Sequence, residues 1–205
     1  MARRTLSRAD WEIILAQDIK ICHLDTETTG LYPDKNGVIQ IAGFIEINGV
    51  SQQGFNMNVC TFPEDVIDPG ALRVNGKTVE QIQSYKSPKV VHQALVELFD
   101  KYVDKFDKED KMYLCGYNIG FDDNFMRAFF KKCGHEYYNS YIHGYKIDVM
   151  AMAVFLRSIG RLNTENLKLA TVAKHYNIPI EAHTALGDVK ASRELYRLFK
   201  SMIKE

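Results

Sequence analysis

Ile19 to Leu24 is a mostly apolar run that ends directly on two acids, Asp25 and Glu27, separated by one residue. A short apolar run of this kind reads as a buried strand. Alternate side chains of a strand face opposite sides, so Asp25 and Glu27 share one face while Leu24 and Thr26 share the other. Two carboxylates on one face of a buried strand repel each other and are costly to desolvate. A hard divalent cation such as magnesium or manganese, which prefers carboxylate and water oxygens, relieves both costs. A strand end whose acids merely reach solvent has the same appearance, so the choice between the two rests on the rest of the chain.

The chain has 205 residues, enough for a substantial core, and its 46% hydrophobic and 25% charged content is ordinary for a soluble globular protein. Its 26 basic and 26 acidic residues balance, so charge neither announces nor excludes a nucleic-acid binder. Acids gathered at a metal site would leave basic residues in excess elsewhere. Cys22, Cys60, Cys115 and Cys133 show no Cys-x-x-Cys or zinc-ligand spacing and read as reduced thiols of a cytoplasmic protein. No apolar run approaches the roughly 18 residues of a membrane span, and no apolar signal region follows Met1-Ala2-Arg3-Arg4. No membrane association is expected.

Ser7 is placed to cap a helix carrying Trp11, Ile14, Leu15 and Ile19 at helical spacing, which makes 1–19 an N-terminal helical arm and 20–205 the main domain. Leu31 to Gly37 reads as a loop, Val38 to Ile47 as a strand, and Asn48-Gly49 as a hairpin turn before a return strand at Ser51 to Val59. Pro63 to Gly70 looks irregular, and Thr78 with Gln81 fits a capping box. Ser87-Pro88 opens a long helix with a capping hydroxyl and a stripe of Val91, Leu95, Leu98, Tyr102 and Phe106, before a solvated charge run at Asp104 to Lys111. Met112 to Tyr117 is strand-like, and a helix with Phe125, Phe129 and Phe130 on its apolar side ends near Lys131, Lys132 and Gly134. Ile147-Asp148 reads as a strand end and helix cap, followed by helices over Val149 to Ile159, Glu165 to Tyr176 and Ala185 to Ile203.

Two more segments place acids where chemistry would use them. In Gly116-Tyr117-Asn118-Ile119-Gly120-Phe121-Asp122-Asp123 a strand ends, a glycine-bearing turn follows, and Asp122 falls in the first turn of a helix. Acids are also favourable there for capping alone. In His183-Thr184-Ala185-Leu186-Gly187-Asp188 a histidine precedes the final helix and an acid lies about one turn inside it. A neutral histidine can take a proton from a water that a metal has acidified, or can simply hydrogen-bond in a cap.

Together, Asp25-x-Glu27, Asp122 and His183-x4-Asp188 resemble the histidine branch of the DEDD superfamily, the DnaQ-like 3′–5′ exonucleases. That branch includes the proofreading epsilon subunit of bacterial DNA polymerase III, ribonuclease T and oligoribonuclease. Thr184 stands where the tyrosine branch would have tyrosine. The segment Leu72 to Thr78 and the pair Ile147-Asp148 also resemble family segments, and the likeness covers about residues 20–200. It implies an α/β protein with a ribonuclease H-like fold, a five-stranded mixed sheet with helices on both faces. It implies that Asp25, Glu27, Asp122 and Asp188 hold two Mg2+ or Mn2+ ions, with Asp25 bridging both, and that His183 is the general base. Thr28, Thr29 and Leu31 would hold the last nucleotide, with Asn118 and Phe121 also on the substrate side; Phe121 could equally be core packing.

The implied activity is hydrolysis of single-stranded DNA or RNA from a free 3′ end to nucleoside 5′-monophosphates. DNA proofreading or processing is the first reading and RNA trimming the alternative. A DNA polymerase partner and a homodimer are both left open. A protein of different class, a non-catalytic nucleic-acid or polymerase-binding module, could lose any ligand without penalty, yet all five catalytic positions are filled. His23 stands at a position usually apolar in the family and reads as a packed core histidine. Asn75 replaces a histidine common in relatives.

Overall fold

The computed structural model describes residues 18–180 and 184–204. The apolar run forms β1 (Lys20–Thr28), followed by β2 (Val38–Ile47) and β3 (Val50–Asn58). Asn48 and Gly49 join the last two with φ of 51° and 84°, the positive values that a two-residue hairpin turn requires. β4 (Met112–Gly116) and β5 (Ile142–Asp148) complete one sheet in the order β3-β2-β1-β4-β5. The β1–β2 and β2–β3 pairs are antiparallel and the β1–β4 and β4–β5 pairs parallel. The helices are α1 (Pro69–Asn75), α2 (Val79–Gln83), α3 (Pro88–Phe99), α4 (Ile119–Lys132), α5 (Val149–Ser158), α6 (Leu169–His175) and α7 (Ala185–Lys204).

The period of two along the strands divides the core. Cys22, Leu24, Met112 and Leu114 face one side, where Val91, Leu95 and Leu98 of α3 and Phe125, Phe129 and Phe130 of α4 cover them. Ile21 and Cys115 face the other, under Ala153 of α5, Val172 of α6 and Leu195 and Phe199 of α7. The expected fold, a five-stranded mixed sheet with helices on both faces, is therefore the one found. None of the described helices is long and apolar enough to cross a membrane.

Several local readings are corrected. The long helix does not run on through Tyr102 and Phe106: α3 stops at Phe99, Tyr102 packs only partly on the core, and Phe106 is 87% exposed. Hydrogen bonds win there, because Asp110 accepts from the Asp104 amide, and Asp104 in turn accepts from the Phe106 amide. Ser87 makes no side-chain cap; its carbonyl accepts from Val90 and Val91 while Pro88 fills the first helical position. The helix expected from Glu165 begins only at Leu169, after Asn166 accepts from the Lys168 amide in a local turn. The irregular stretch ends in α1, whose Asp68 cap accepts from Gly70 next to Pro69. The Thr78–Gln81 capping box forms, and Asp148 caps α5 through the amides of Met150 and Ala151. The helix expected from Ser7 through Trp11, Ile14 and Leu15 lies outside the described residues.

One mismatch in strand length positions the site. β1 pairs with β4 only through Ile21, Cys22 and His23, so Asp25 to Thr28 continue beyond the end of β4. The chain turns out of β4 at Gly116, where an added Cβ would sit 2.6 Å from the Leu24 carbonyl and 2.8 Å from the Ile119 side chain. Gly116→Ala should therefore lower stability by about 1–3 kcal/mol, the usual cost of overpacking. Urea unfolding at neutral pH measures this, and an unchanged midpoint would show that the turn relaxes.

Candidate metal centre and active site

The overhanging end of β1 presents Asp25 and Glu27 on the face covered by α7, and the first turn of α7 presents Asp188 to them. One carboxylate oxygen from each of Asp25, Glu27 and Asp188 lies within 4.8 Å of the other two. Thr184 immediately precedes α7: its hydroxyl accepts from the Gly187 amide at 3.1 Å and its carbonyl from the Asp188 amide at 3.0 Å. Residues 181–183 include His183, so the expected general base lies outside the described residues.

Asp122 arrives from the opposite side of the sheet. Asn118, in the left-handed conformation (φ 60°, ψ 40°), turns the chain from β4 into α4, and its amide donates to Asp148 at 3.1 Å. Asp122 follows in the first turn of α4, buried, with Oδ1 accepting from the Thr26 amide at 2.9 Å and the Thr26 hydroxyl at 2.7 Å. The residue between the two strand acids thus points away from them and grips the fourth acid. Sequence reading gave Thr26 no role, although its alternation onto the α4 face was a signal that could have suggested one.

The electrostatics show four carboxylates held closer than they would choose. Burial, then Asp122, Asp188 and Glu27, push the Asp25 carboxyl well above the ordinary aspartate range. Burial and Asp188 raise Glu27 from 4.5 to about 7, against a lowering by the Lys77 ammonium. Asp122 rises from 3.8 to about 7 through burial, despite its hydrogen bonds from Thr26. The all-oxygen donor set of Asp25, Glu27 and Asp188 suits a hard divalent cation, which would remove the repulsion. His23, two residues before Asp25, is completely buried and is lowered to about 4 chiefly by desolvation, so it is a neutral core residue.

The expected substrate-side residues separate into groups. Leu31 is 71% exposed and is followed by exposed Tyr32. Thr28 donates its hydroxyl to the Gly30 carbonyl, and its own carbonyl accepts from Asn75 Nδ2 at 2.8 Å. Thr29 is fully buried, with its hydroxyl donating to Val66 and accepting from the Gly37 amide. Asn118 is exposed at the start of α4. The half-buried Phe121 ring lies 4.8 Å from Phe125 and packs against the core. The side chains of Thr29 and Phe121 are thereby committed to the protein, and Leu31 faces outward.

A carboxyl raised in the folded state contributes stability that is complete below its unfolded pKa and is lost as pH rises through the folded value. For Glu27 and Asp122 that window runs from their ordinary values of 4.5 and 3.8 to about 7. In the metal-free protein Asp25→Ala should raise Tm at pH 8, and the advantage over wild type should shrink toward pH 4. Thermal melts of both proteins in chelator across that range test this; an equal or lower Tm for the variant at pH 8 would refute the crowded-carboxylate account.

The site's likeness to known proteins agrees with its geometry. Residues 23–196 match a family model described as Exonuclease. The PolC-type DNA polymerase III of Listeria welshimeri is 27% identical over 192 residues, 90% of this chain and 12% of that protein. The PolC-type polymerase of Listeria monocytogenes is likewise 27% identical, over 91% of this chain and 12% of its own. The chain thus spans about an eighth of the length of these relatives. Among solved structures, E. coli exonuclease I in complex with a dT13 oligonucleotide has a TM-score of 0.74 at 20% identity, covering 89% of this chain and 41% of that one. The exonuclease I of Methylocaldum szegediense gives 0.73 at 20% identity, over 89% and 40%. With its fold, its acid cluster and 174 matched residues, the chain belongs to the exonuclease family of DnaQ-like 3′–5′ exonucleases.

Proposed function

We propose that residues 20–205 form a metal-dependent exonuclease that shortens single-stranded nucleic acid from a free 3′ hydroxyl and releases nucleoside 5′-monophosphates. The observation that carries the reading is the convergence of Asp25, Glu27 and Asp188 within 4.8 Å, with Asp122, held by Thr26 and outside that group of three, acting on Asp25 through its charge. Asp25, whose carboxyl is raised by all three other acids, would be a ligand to both of two Mg2+ or Mn2+ ions, with Glu27 and Asp188 serving one of them and Asp122 the other. When bound, such ions neutralise charge on the phosphate and lower the pKa of the attacking water. His183 would take the proton from the attacking water. Leu31 lies against the terminal base, and the backbone at Thr28 and Thr29 shapes the pocket for the 3′ hydroxyl.

DNA is the preferred substrate class. The support is the match to PolC-type polymerases and the exonuclease I structure named for its bound dT13 oligonucleotide. A polymerase is accordingly the first partner to seek.

Labelled at its 5′ end, a single strand should give a ladder of shortening products with Mg2+ or Mn2+ and none with chelator, and a 3′-phosphate should block the reaction. Parallel DNA and RNA strands rank the two substrates. Immediate release of the 5′ label as a mononucleotide would overturn the polarity. Absence of cleavage, with metal-independent strand binding, would instead identify a binding module.

His183→Ala should reduce single-turnover rate roughly 10²- to 10⁴-fold, the usual worth of a general base, while leaving calorimetric metal affinity near wild type. Near-normal chemistry in the folded variant would remove His183 from the mechanism.

A further inference from the structure

Behind the acids, β2 and α7 meet at a second charged contact. Glu46 of β2 pairs across the sheet with Ile21 of β1 and is buried, its side chain 3% exposed. Arg193 of α7 donates to Glu46 Oε2 through Nε at 3.1 Å and through Nη2 at 2.8 Å. Arg197 Nη2, about one turn further along α7, donates to the same oxygen at 3.1 Å. The Arg193 guanidinium also lies over the Phe44 ring, 5.3 Å from its centroid. One buried carboxylate oxygen is therefore gripped from two successive turns of the helix that carries Asp188.

The apolar underside of α7 does not supply the same constraint. Val189, Leu195 and Phe199 set how far the helix stands from the sheet, but hydrophobic contact is non-directional and tolerates sliding. Charge-assisted forked hydrogen bonds fix direction as well as distance. Asp188 precedes Arg193 by five residues, about 7.5 Å along the helix at 1.5 Å per residue. A slip or rotation of α7 at Glu46 is thus transmitted to the Asp188 carboxylate with little loss. Magnesium demands near-ideal octahedral geometry, so its ligands tolerate little displacement.

We propose that Glu46, with Arg193 and Arg197, is a positioning clasp that holds Asp188 in register with Asp25 and Glu27. These residues touch neither metal nor substrate and act through the helix. The proposal rests on the metal-centre reading given above.

The test uses Glu46→Gln and Arg193→Gln in the full chain, titrated with Mn2+ by calorimetry without substrate, well below each variant's Tm. Outer residues that orient metal ligands are typically worth 10- to 100-fold in affinity, so Mn2+ binding should weaken about tenfold or more. The metal concentration for half-maximal cleavage should rise by a like factor, with the oligonucleotide KM at saturating metal unchanged. Arg193→Lys, which keeps the charge but not the fork, should fall between. Folded variants with lowered Tm but wild-type Mn2+ affinity would overturn the proposal, since a purely structural contact moves only Tm. Should Glu46→Gln fail to fold, Arg197→Gln removes one bond from a residue 41% exposed and should shift affinity in the same direction; wild-type affinity there overturns the clasp. Asp25→Asn separates the two levels: it should abolish Mn2+ binding, and if it does not, the clasp falls because the metal centre itself is elsewhere.

Discussion

Repulsion among four carboxylates at the overhanging end of β1 is the constraint that the surrounding structure has to hold in check. Asp122 and Asp188 both enter from the first turns of helices, where the backbone dipole favours negative charge. Two hydrogen bonds from Thr26 favour the charged form of Asp122, and Lys77 favours that of Glu27. These terms are individually modest, a helix terminus contributing about 0.3–1 kcal/mol for an exposed acid. They do not win: Asp25, Glu27 and Asp122 all remain raised. The fold therefore assembles the acids at a cost that its own cations and dipoles leave partly unmet, which is the condition for strong attraction of a divalent ion.

The same constraint explains why rigid elements carry the acids. Thr26 is a strand residue held by backbone pairing on one side and by its bonds to Asp122 on the other. Gly116 admits the close turn that brings α4 against β1, because any side chain there meets the Leu24 carbonyl. Gly30 plays the matching part after β1: an added Cβ would lie 2.4 Å from the Asn36 side chain. Asn36 is buried and ties the loop together, accepting from the Tyr32 amide and donating to the carbonyls of Thr29 and Val66. The glycine of the first motif thus serves a loop network and stands apart from the charges.

Local structure was legible where one period or one turn dominates. The strands around Asn48-Gly49, the stripe of α4 and the capping box at Thr78 follow from alternation, helical spacing and cap chemistry. The readings that failed did so where side chains from distant positions decided the outcome. Tyr102 and Phe106 continue the helical spacing of α3, yet a hydrogen-bonded loop around Asp104 and Asp110 ends it earlier. Within the site, Asp25 and Glu27 could be placed on one face from the strand period alone. Their meeting with Asp122 and Asp188 was legible only through a resemblance, because no local rule brings residues about 100 and 160 positions away to one point. Thr29 and Phe121 show the converse: the motif marks them, and the structure spends their side chains on loop and core.

Glu46 is the least legible residue of all. In sequence it is an acid on an alternating strand, which ordinarily means a solvent-facing position. In the structure it is buried, and only its arginine partners, some 150 positions away, make that burial tolerable. Replacing such a contact by apolar residues would often be neutral or stabilising, because the desolvation of both charges is avoided. Hydrophobic substitutes would keep α7 on the sheet without fixing its register. A charged clasp at this position is therefore best explained by the proposed metal site at the other end of the helix, where ligand geometry would tolerate less displacement than packing does.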